Sequence, residues 1–324
     1  MRGDTMTKTY DTRSGLYIGL LASFMLTLTS PVTGWTADEH SSQALFASPD
    51  QAVAALNEAV KLDDTNALEK VLGPAVSEIT NPDPVQRAHY SKTFAKHLAD
   101  FTELAKQEDG TVVLRVGQAH WPFPIPLTMK GDKWFFDTMA GKEEILNRRI
   151  GHNEISAIEI CHAYVKAQRD YLLKDYDGNG VTEYAQRMQS TSGKKDGLYW
   201  EITTGEEVSP FGPLVARACE EGYSRRSVSA SPRKHDPFHG YIFRILKRQG
   251  KHAPGGTSDY VINDHMVAGF AFLAYPVQWG NSGVMTFIVN QEGKVYQKNL
   301  GEKTADLAAT IPEYDPDDSW KIVE

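Results

Sequence analysis

Twice along this chain, helical spacing of apolar residues gives way to strand-like sequence. That order constrains the fold more than any other feature. Ser48-Pro49-Asp50 supplies a capping hydroxyl and an early proline, and Ala52, Val53, Leu56 and Val60 then fall on one helical face. Leu62-Asp-Asp-Thr65 breaks the pattern, and Thr65 opens a short helix carrying Leu68, Val71 and Leu72, which stops at Gly73-Pro74. Phe94, Leu98, Phe101 and Leu104 keep helical spacing and predict a third helix over residues 84–106. After Asp109-Gly110 the sequence becomes β-branched, from Thr111 to Val116. Ile125–Met129 and Lys133–Phe136 then read as a hairpin about Gly131-Asp132.

The second cycle starts near Asn153. Ile155, Ile158, Cys161, Val165 and Leu172 form a helical stripe flanked by Tyr164 and Tyr171, ending at the Asp175–Gly180 loop. The charged stretch Lys142–Arg149 before it reads as a solvated linker or helix. Short helices are expected over 182–188 and 214–221, the latter closed by Gly222, with a polar loop over 227–236. Four strands follow: Gly240–Leu246, Ala268–Tyr275, Gly283–Val289 and Lys294–Gln297. Helices followed by a meander predict an α+β unit each time. The expected organisation is one domain over 45–145, a second over 151–311, and a loosely held acidic tail over 312–324 whose Trp320 is the candidate to dock it. A length of 324 residues suits two domains with a core each.

Residues 14–30 carry no charge and follow Lys8 and Arg13. A basic start and a short apolar run predict a signal peptide over 1–37, with cleavage between 34 and 45. The run is too short for a comfortable membrane span, and no later stretch is long and apolar enough, so no span is expected after cleavage. The expected location is periplasmic or secreted. There Cys161 and Cys219, the only two cysteines, are free to pair or to stay as separate thiols. Thirty-four Lys and Arg against 42 Asp and Glu give a net charge of −8, which argues against nucleic acid as a partner.

Several phrases are more specific. They include Trp121-Pro-Phe-Pro-Ile-Pro126, Asn147-Arg-Arg-Ile-Gly151, Asp196-Gly-Leu-Tyr-Trp200, Ser209-Pro-Phe-Gly-Pro-Leu-Val215, His239-Gly-Tyr-Ile-Phe-Arg244 and Gly280-Asn-Ser-Gly-Val-Met-Thr-Phe287. Through them nearly the whole mature chain resembles the bacterial exported family catalogued as domain of unknown function 2950. That resemblance implies no activity and no catalytic residues. The paired helices and the closing Gly131-Asp-Lys-Trp-Phe-Phe-Asp137 resemble the NTF2 or cystatin architecture. The helix from Asn153, then Gly240-Tyr-Ile-Phe-Arg244, Ala274-Tyr-Pro-Val277 and Gly283-Val-Met-Thr-Phe287, are similar to the globular half of type IV pilin-like proteins. The apolar filament-building helix of pilins is missing before Asn153, so the resemblance implies a pilin-like domain and no filament subunit.

Two local motifs bear on chemistry. In Asp175-Tyr-Asp177-Gly-Asn179-Gly180-Val181-Thr-Glu183, oxygen donors alternate and glycine takes the sixth place, as in calcium loops. Asp175, Asp177, Asn179, the Val181 carbonyl and Glu183 are the candidate metal ligands. Gln186 stands where a strong site has its bidentate glutamate, so any calcium ion would be held weakly. An Asx-rich turn explains the same residues. Gly280-Asn-Ser282-Gly283 resembles the nucleophile segment of trypsin-like proteases, with His239 or His265 as upstream base, but it also suits a tight turn between two strands. Trp121, Phe123 and Trp134 are candidates to line a ligand pocket in the first domain. The expectation is a non-enzymatic exported protein with no catalytic residues and no cofactor beyond a weak calcium ion. It would act through an unidentified envelope protein, with a Ser282 hydrolase or a small-ligand binder as rivals.

Overall fold

The computed structural model describes residues 43–323 except 63, 202–206 and 225–236. The signal peptide expected over 1–37 and the polar loop over 227–236 therefore lie outside the described residues, as does Asp63 in the expected break.

Helix α1 (Pro49–Lys61) starts where Ser48 accepts from the Gln51 amide. Helix α2 (Thr65–Leu72) is capped by Asp64, one residue before the expected cap, because its carboxylate reaches both the Asn66 and Ala67 amides. A single turn, α3 (Val76–Ile79), leads to α4 (Pro84–Asp100), capped by Asp83 with Pro84 at its first position. Helix α4 stops short of the expected residue 106. Phe101 is extended, and Thr102–Lys106 is strand β1, paired antiparallel with β2 (Val112–Val116). The Asp109-Gly110 turn brings the two strands together, so tertiary pairing overrides the helical spacing of Phe101 and Leu104.

Strands β3 (Trp121–Pro122), β4 (Leu127–Lys130) and β5 (Lys133–Phe136) complete the first sheet, in the order β1-β2-β4-β5 with β3 on β2. The β4–β5 hairpin turns where expected, with Gly131 at positive φ. Leu56, Leu98, Leu114, Leu127 and Phe136 form a buried core between helices and sheet.

Helix α5 (Thr138–Leu172) is one continuous 35-residue helix. It begins well before the expected Asn153, and the boundary drawn between residues 145 and 151 falls inside it. Its first turns pack on the first core. Gly141 lies so close to the Pro124 carbonyl that a Cβ would come within 2.6 Å of it. Its later turns cross the second sheet, where Tyr164 stacks on Phe272 with ring centroids 3.9 Å apart. The helix expected over 182–188 is irregular chain, because the backbone amides of Tyr184 and Ala185 donate to Met266 O and Gln168 Oε1. Helix α6 (Gly212–Glu220) ends before Gly222, at positive φ.

The second sheet has the order β14-β13-β12-β11-β6. Its long members are β6 (Tyr241–Leu246), β11 (Ala271–Pro276), β12 (Met285–Asn290) and β13 (Tyr296–Asn299). Two small ribbons lie between β6 and β11: β7 (Arg248–Gln249) with β8 (Ser258–Asp259), and β9 (Val261–Ile262) with β10 (His265–Met266). Every residue of β11 is buried, as a central strand covered on both faces requires. Helix α7 (Thr304–Thr310) packs on β11. The C-terminal segment is docked more firmly than expected. Tyr314 is buried, Trp320 packs on the core, and β14 (Lys321–Ile322) pairs with β13. The architecture is α+β, with two hydrophobic cores in one compact unit that takes in all the described residues.

Candidate functional site

The acidic loop folds around its own amides. Asp175 accepts from the backbone N–H groups of Gly178, Asn179 and Gly180 at 2.8–3.2 Å. Those bonds hold its carboxyl below the usual range, the Gly180 amide most of all. Asn179 Oδ1 accepts from the Val181 amide, and Asn179 Nδ2 donates to both Asp177 and Glu183. Glu183 also accepts from His265 Nδ1 at 2.8 Å and from the Met266 amide at 2.9 Å. Burial opposes the Glu183 charge, but His265, Asn179 and the Met266 amide together outweigh it and keep the carboxyl low. Burial, aided by the Glu183 charge, pushes Asp177 up.

Asp177, Asn179 and Glu183 line a cavity of about 200 Å³ together with Tyr171, Lys247 and His265. Of the candidate ligands, Asp175 faces the loop amides and not this cavity. Among the described residues, no group of three or more His, Cys, Asp or Glu side chains is arranged to hold a metal ion.

Ser282 is buried at the turn before β12. Its Oγ donates to the Gln278 carbonyl at 3.1 Å and accepts from the Gln278 amide at 3.0 Å. Neither His239 nor His265 bonds to it. His239 pairs with Glu221 at 3.0 Å, and His265 with Glu183. The aromatic trio of the first lobe is divided. Phe123 stacks on Phe94 and Trp134 packs on the core, whereas Trp121 is 41% exposed with Arg148 above its ring. Cys161 and Cys219 are separate thiols, and burial pushes Cys161 up to about 12.

Sequence reasoning passed over the densest polar site, at the junction of the two lobes. Asp83 is fully buried. One carboxylate oxygen caps α4 through the Val85 and Gln86 amides. The other accepts from Tyr223 Oη at 2.8 Å and from the Gly240 amide at 3.1 Å, both in the second lobe. Burial, with the Asp83 charge, pushes the Tyr223 hydroxyl well up, so it stays a donor.

Asn153, also fully buried, joins three segments. Its Oδ1 accepts from Gln86 and its Nδ2 donates to the Ser282 carbonyl, both at 2.8 Å. One turn before, Arg149 donates to the carbonyls of Ile79 and Thr80 and to Asn281 Oδ1, and burial lowers it to about 10. Glu154 accepts from the Val284 and Met285 amides. Gly240, at φ +72°, lies so close to Asn153 Nδ2 that a Cβ would sit 2.5 Å away. The one signal in the sequence was Asn153 itself, a polar residue in line with the buried Ala157, Ile160 and Tyr164.

No curated protein and no solved structure matches the chain. One family model does, over residues 43–323, which spans both lobes, the acidic loop and the junction. The chain therefore belongs to the family described as "Protein of unknown function (DUF2950)".

Proposed function

We propose that this is an exported bacterial protein, periplasmic or secreted, that works without catalysis through contacts with an envelope protein. The state of Ser282 carries the non-enzymatic part. Its hydroxyl is spent within its own turn, no histidine bonds to it, and burial shields it from any substrate. The contact part draws on an exposed apolar pair beyond the end of α5. Leu173 is 81% exposed and Val208 56%, and the Lys174–Glu207 ion pair draws their segments together. Nucleic acid is not a partner in this reading, given the net charge of −8. No helix among the described residues is long and apolar enough to cross a membrane.

At the finer level of fold, we read the first lobe as NTF2- or cystatin-like and the second as pilin-like. The long α5 lying across β11 and β12 of an antiparallel sheet supports the latter.

The direct test treats the folded protein with a fluorophosphonate probe. No labelling is expected, and Ser282→Ala should keep full biological activity. Labelling at Ser282 would replace this reading with the hydrolase. For export, mass spectrometry should find a mature N-terminus between residues 34 and 45, and an intact Met1 on the exported protein would count against it.

A second reading gives the acidic loop a weak calcium ion at Asp177, Asn179, the Val181 carbonyl and Glu183, the expected ligands other than Asp175. What favours it is that Asp177, Asn179 and Glu183 share one cavity, with the Asp177 charge disfavoured until a cation arrives. With Asp175 turned to the amides, water would have to complete the ligand shell.

A further inference from the structure

We propose that His239 is a proton-operated latch between the two lobes, closed while its imidazole is neutral and loosened when it is protonated at mildly acidic pH. Its geometry is unusual on three counts. First, the backbone is in the left-handed region, φ +49°, which costs a non-glycine residue energy and needs surrounding contacts to hold it. Second, its backbone N–H donates to Tyr223 Oη, the same hydroxyl that donates to Asp83, and the next amide, Gly240 N–H, reaches Asp83 directly. Displacing His239 therefore breaks the bonds by which the second lobe grips the N-terminus of α4. Third, its Nδ1 is buried without a hydrogen-bond partner.

The third feature gives the latch its direction. In the neutral ring the proton is best placed on Nε2, 3.0 Å from the Glu221 carboxylate, which leaves Nδ1 as an idle lone pair. Protonation turns Nδ1 into a buried donor with no acceptor, which is the costlier omission. Among the described residues, five groups bear on the ring. Glu221 beyond the end of α6 and Asp83 at the cap of α4 favour its charge, while Arg217 on α6 and His152 on α5 oppose it; Tyr223 presents a hydroxyl that stays neutral. The His152 ring lies 6.2 Å away, centroid to centroid, and is itself exposed. Burial is the largest influence, and it holds His239 below the ordinary value near 6.5. An imidazole protonated in place relaxes by turning toward water, and the Tyr223–Asp83–Gly240 bonds go with it. The bonds of Asn153 and Arg149 lie outside this set, so the opening is local.

The experiment is amide exchange by NMR on the full chain, corrected for the intrinsic pH dependence. Between pH 7 and pH 5 the protection of the Gly240 amide should fall about tenfold. Amides of Phe272 and Val289, deep in the second sheet, should hold theirs. In His239→Asn, whose side chain tolerates positive φ and does not titrate, the Gly240 fall should vanish. A flat wild-type profile, a fall that persists in His239→Asn, or an equal fall at Phe272 would each overturn the latch. Should the variant not fold, the imidazole titration of wild type decides: a His239 pKa at or above 6.5 refutes the proposal.

Discussion

The acidic loop and the lobe junction are both dense in carboxylates and amides, yet they are assembled in opposite ways. The loop satisfies itself. Asp175, Asp177 and Asn179 bond mostly to groups within five residues, and the loop stays exposed to water. The junction gathers Asp83, Gln86, Asn153, Tyr223, Gly240 and Ser282 from five separate segments and buries all of them. A polar group exposed at a turn exchanges one set of hydrogen bonds for another with water, so each is worth little net. A buried one has no such exchange, and removing its partner exposes the full desolvation cost. Sensitivity to substitution should therefore concentrate at the junction, although the loop has the more conspicuous sequence.

The largest expected contrast is between two aspartates. Asp83→Ala leaves Tyr223 Oη and the Gly240 amide without an acceptor and removes the α4 cap; it should cost about 3 kcal/mol or more. Asp175→Ala removes only turn bonds that water can replace and should cost much less. Urea denaturation of both variants measures the difference, and equal costs would break the comparison.

A smaller contrast uses glycines of like conformation. Gly180 and Gly240 have φ of +88° and +72°, so alanine is strained at either. A Cβ at Gly180 meets open space, whereas at Gly240 it meets Asn153. Gly180→Ala should cost about 1 kcal/mol and Gly240→Ala about 2–3 kcal/mol.

The two regions should also respond to pH with opposite sign. His239 is held below its ordinary value by burial, so its contribution to stability is whole above pH 6.5 and is lost as the pH falls below it. His265 is raised, chiefly by its hydrogen bond to Glu183, so its contribution is whole below pH 6.5 and is lost as the pH rises through the higher folded value. Imidazole titrations should place the two on either side of 6.5; finding both on one side would refute the contrast.

The smallest effect is that of calcium. Millimolar calcium should raise the melting temperature by a few degrees, an increment lost in Asp177→Ala, with Gly240 amide exchange unchanged. No shift in wild type would leave the loop as a turn alone.

Local chemistry made much of this chain legible. Ser48-Pro49 and Asp83-Pro84 start helices, Gly131-Asp132 turns a hairpin, and the four long strands from Gly240 to Gln297 fall within a few residues of expectation. Where expectation failed, pairing with distant residues had decided. Thr102–Lys106 became a strand because β2 lies beside it, and residues 182–188 are irregular because Gln168 and Met266 claim their amides. Lys142–Arg149, which read as either linker or helix, is part of α5 because the helix is anchored at both ends, by Thr138 and Gly141 in one lobe and by Ala157 to Tyr171 in the other.

The sequence by itself determined what depends on neighbours along the chain. That covers the α+β alternation, the caps and turns, the self-bonded acidic loop, and the family phrases spread from Trp121 to Phe287. Only the tertiary structure decided that Ser282 is buried and that His239 meets Glu221. It alone joined Asp83, Asn153 and Gly240, residues 157 positions apart at the extreme, in one buried cluster. The physical reason is range. Caps and turns are fixed by bonds a few residues long, which spacing reveals, whereas burial is settled by whichever surfaces the whole chain brings together.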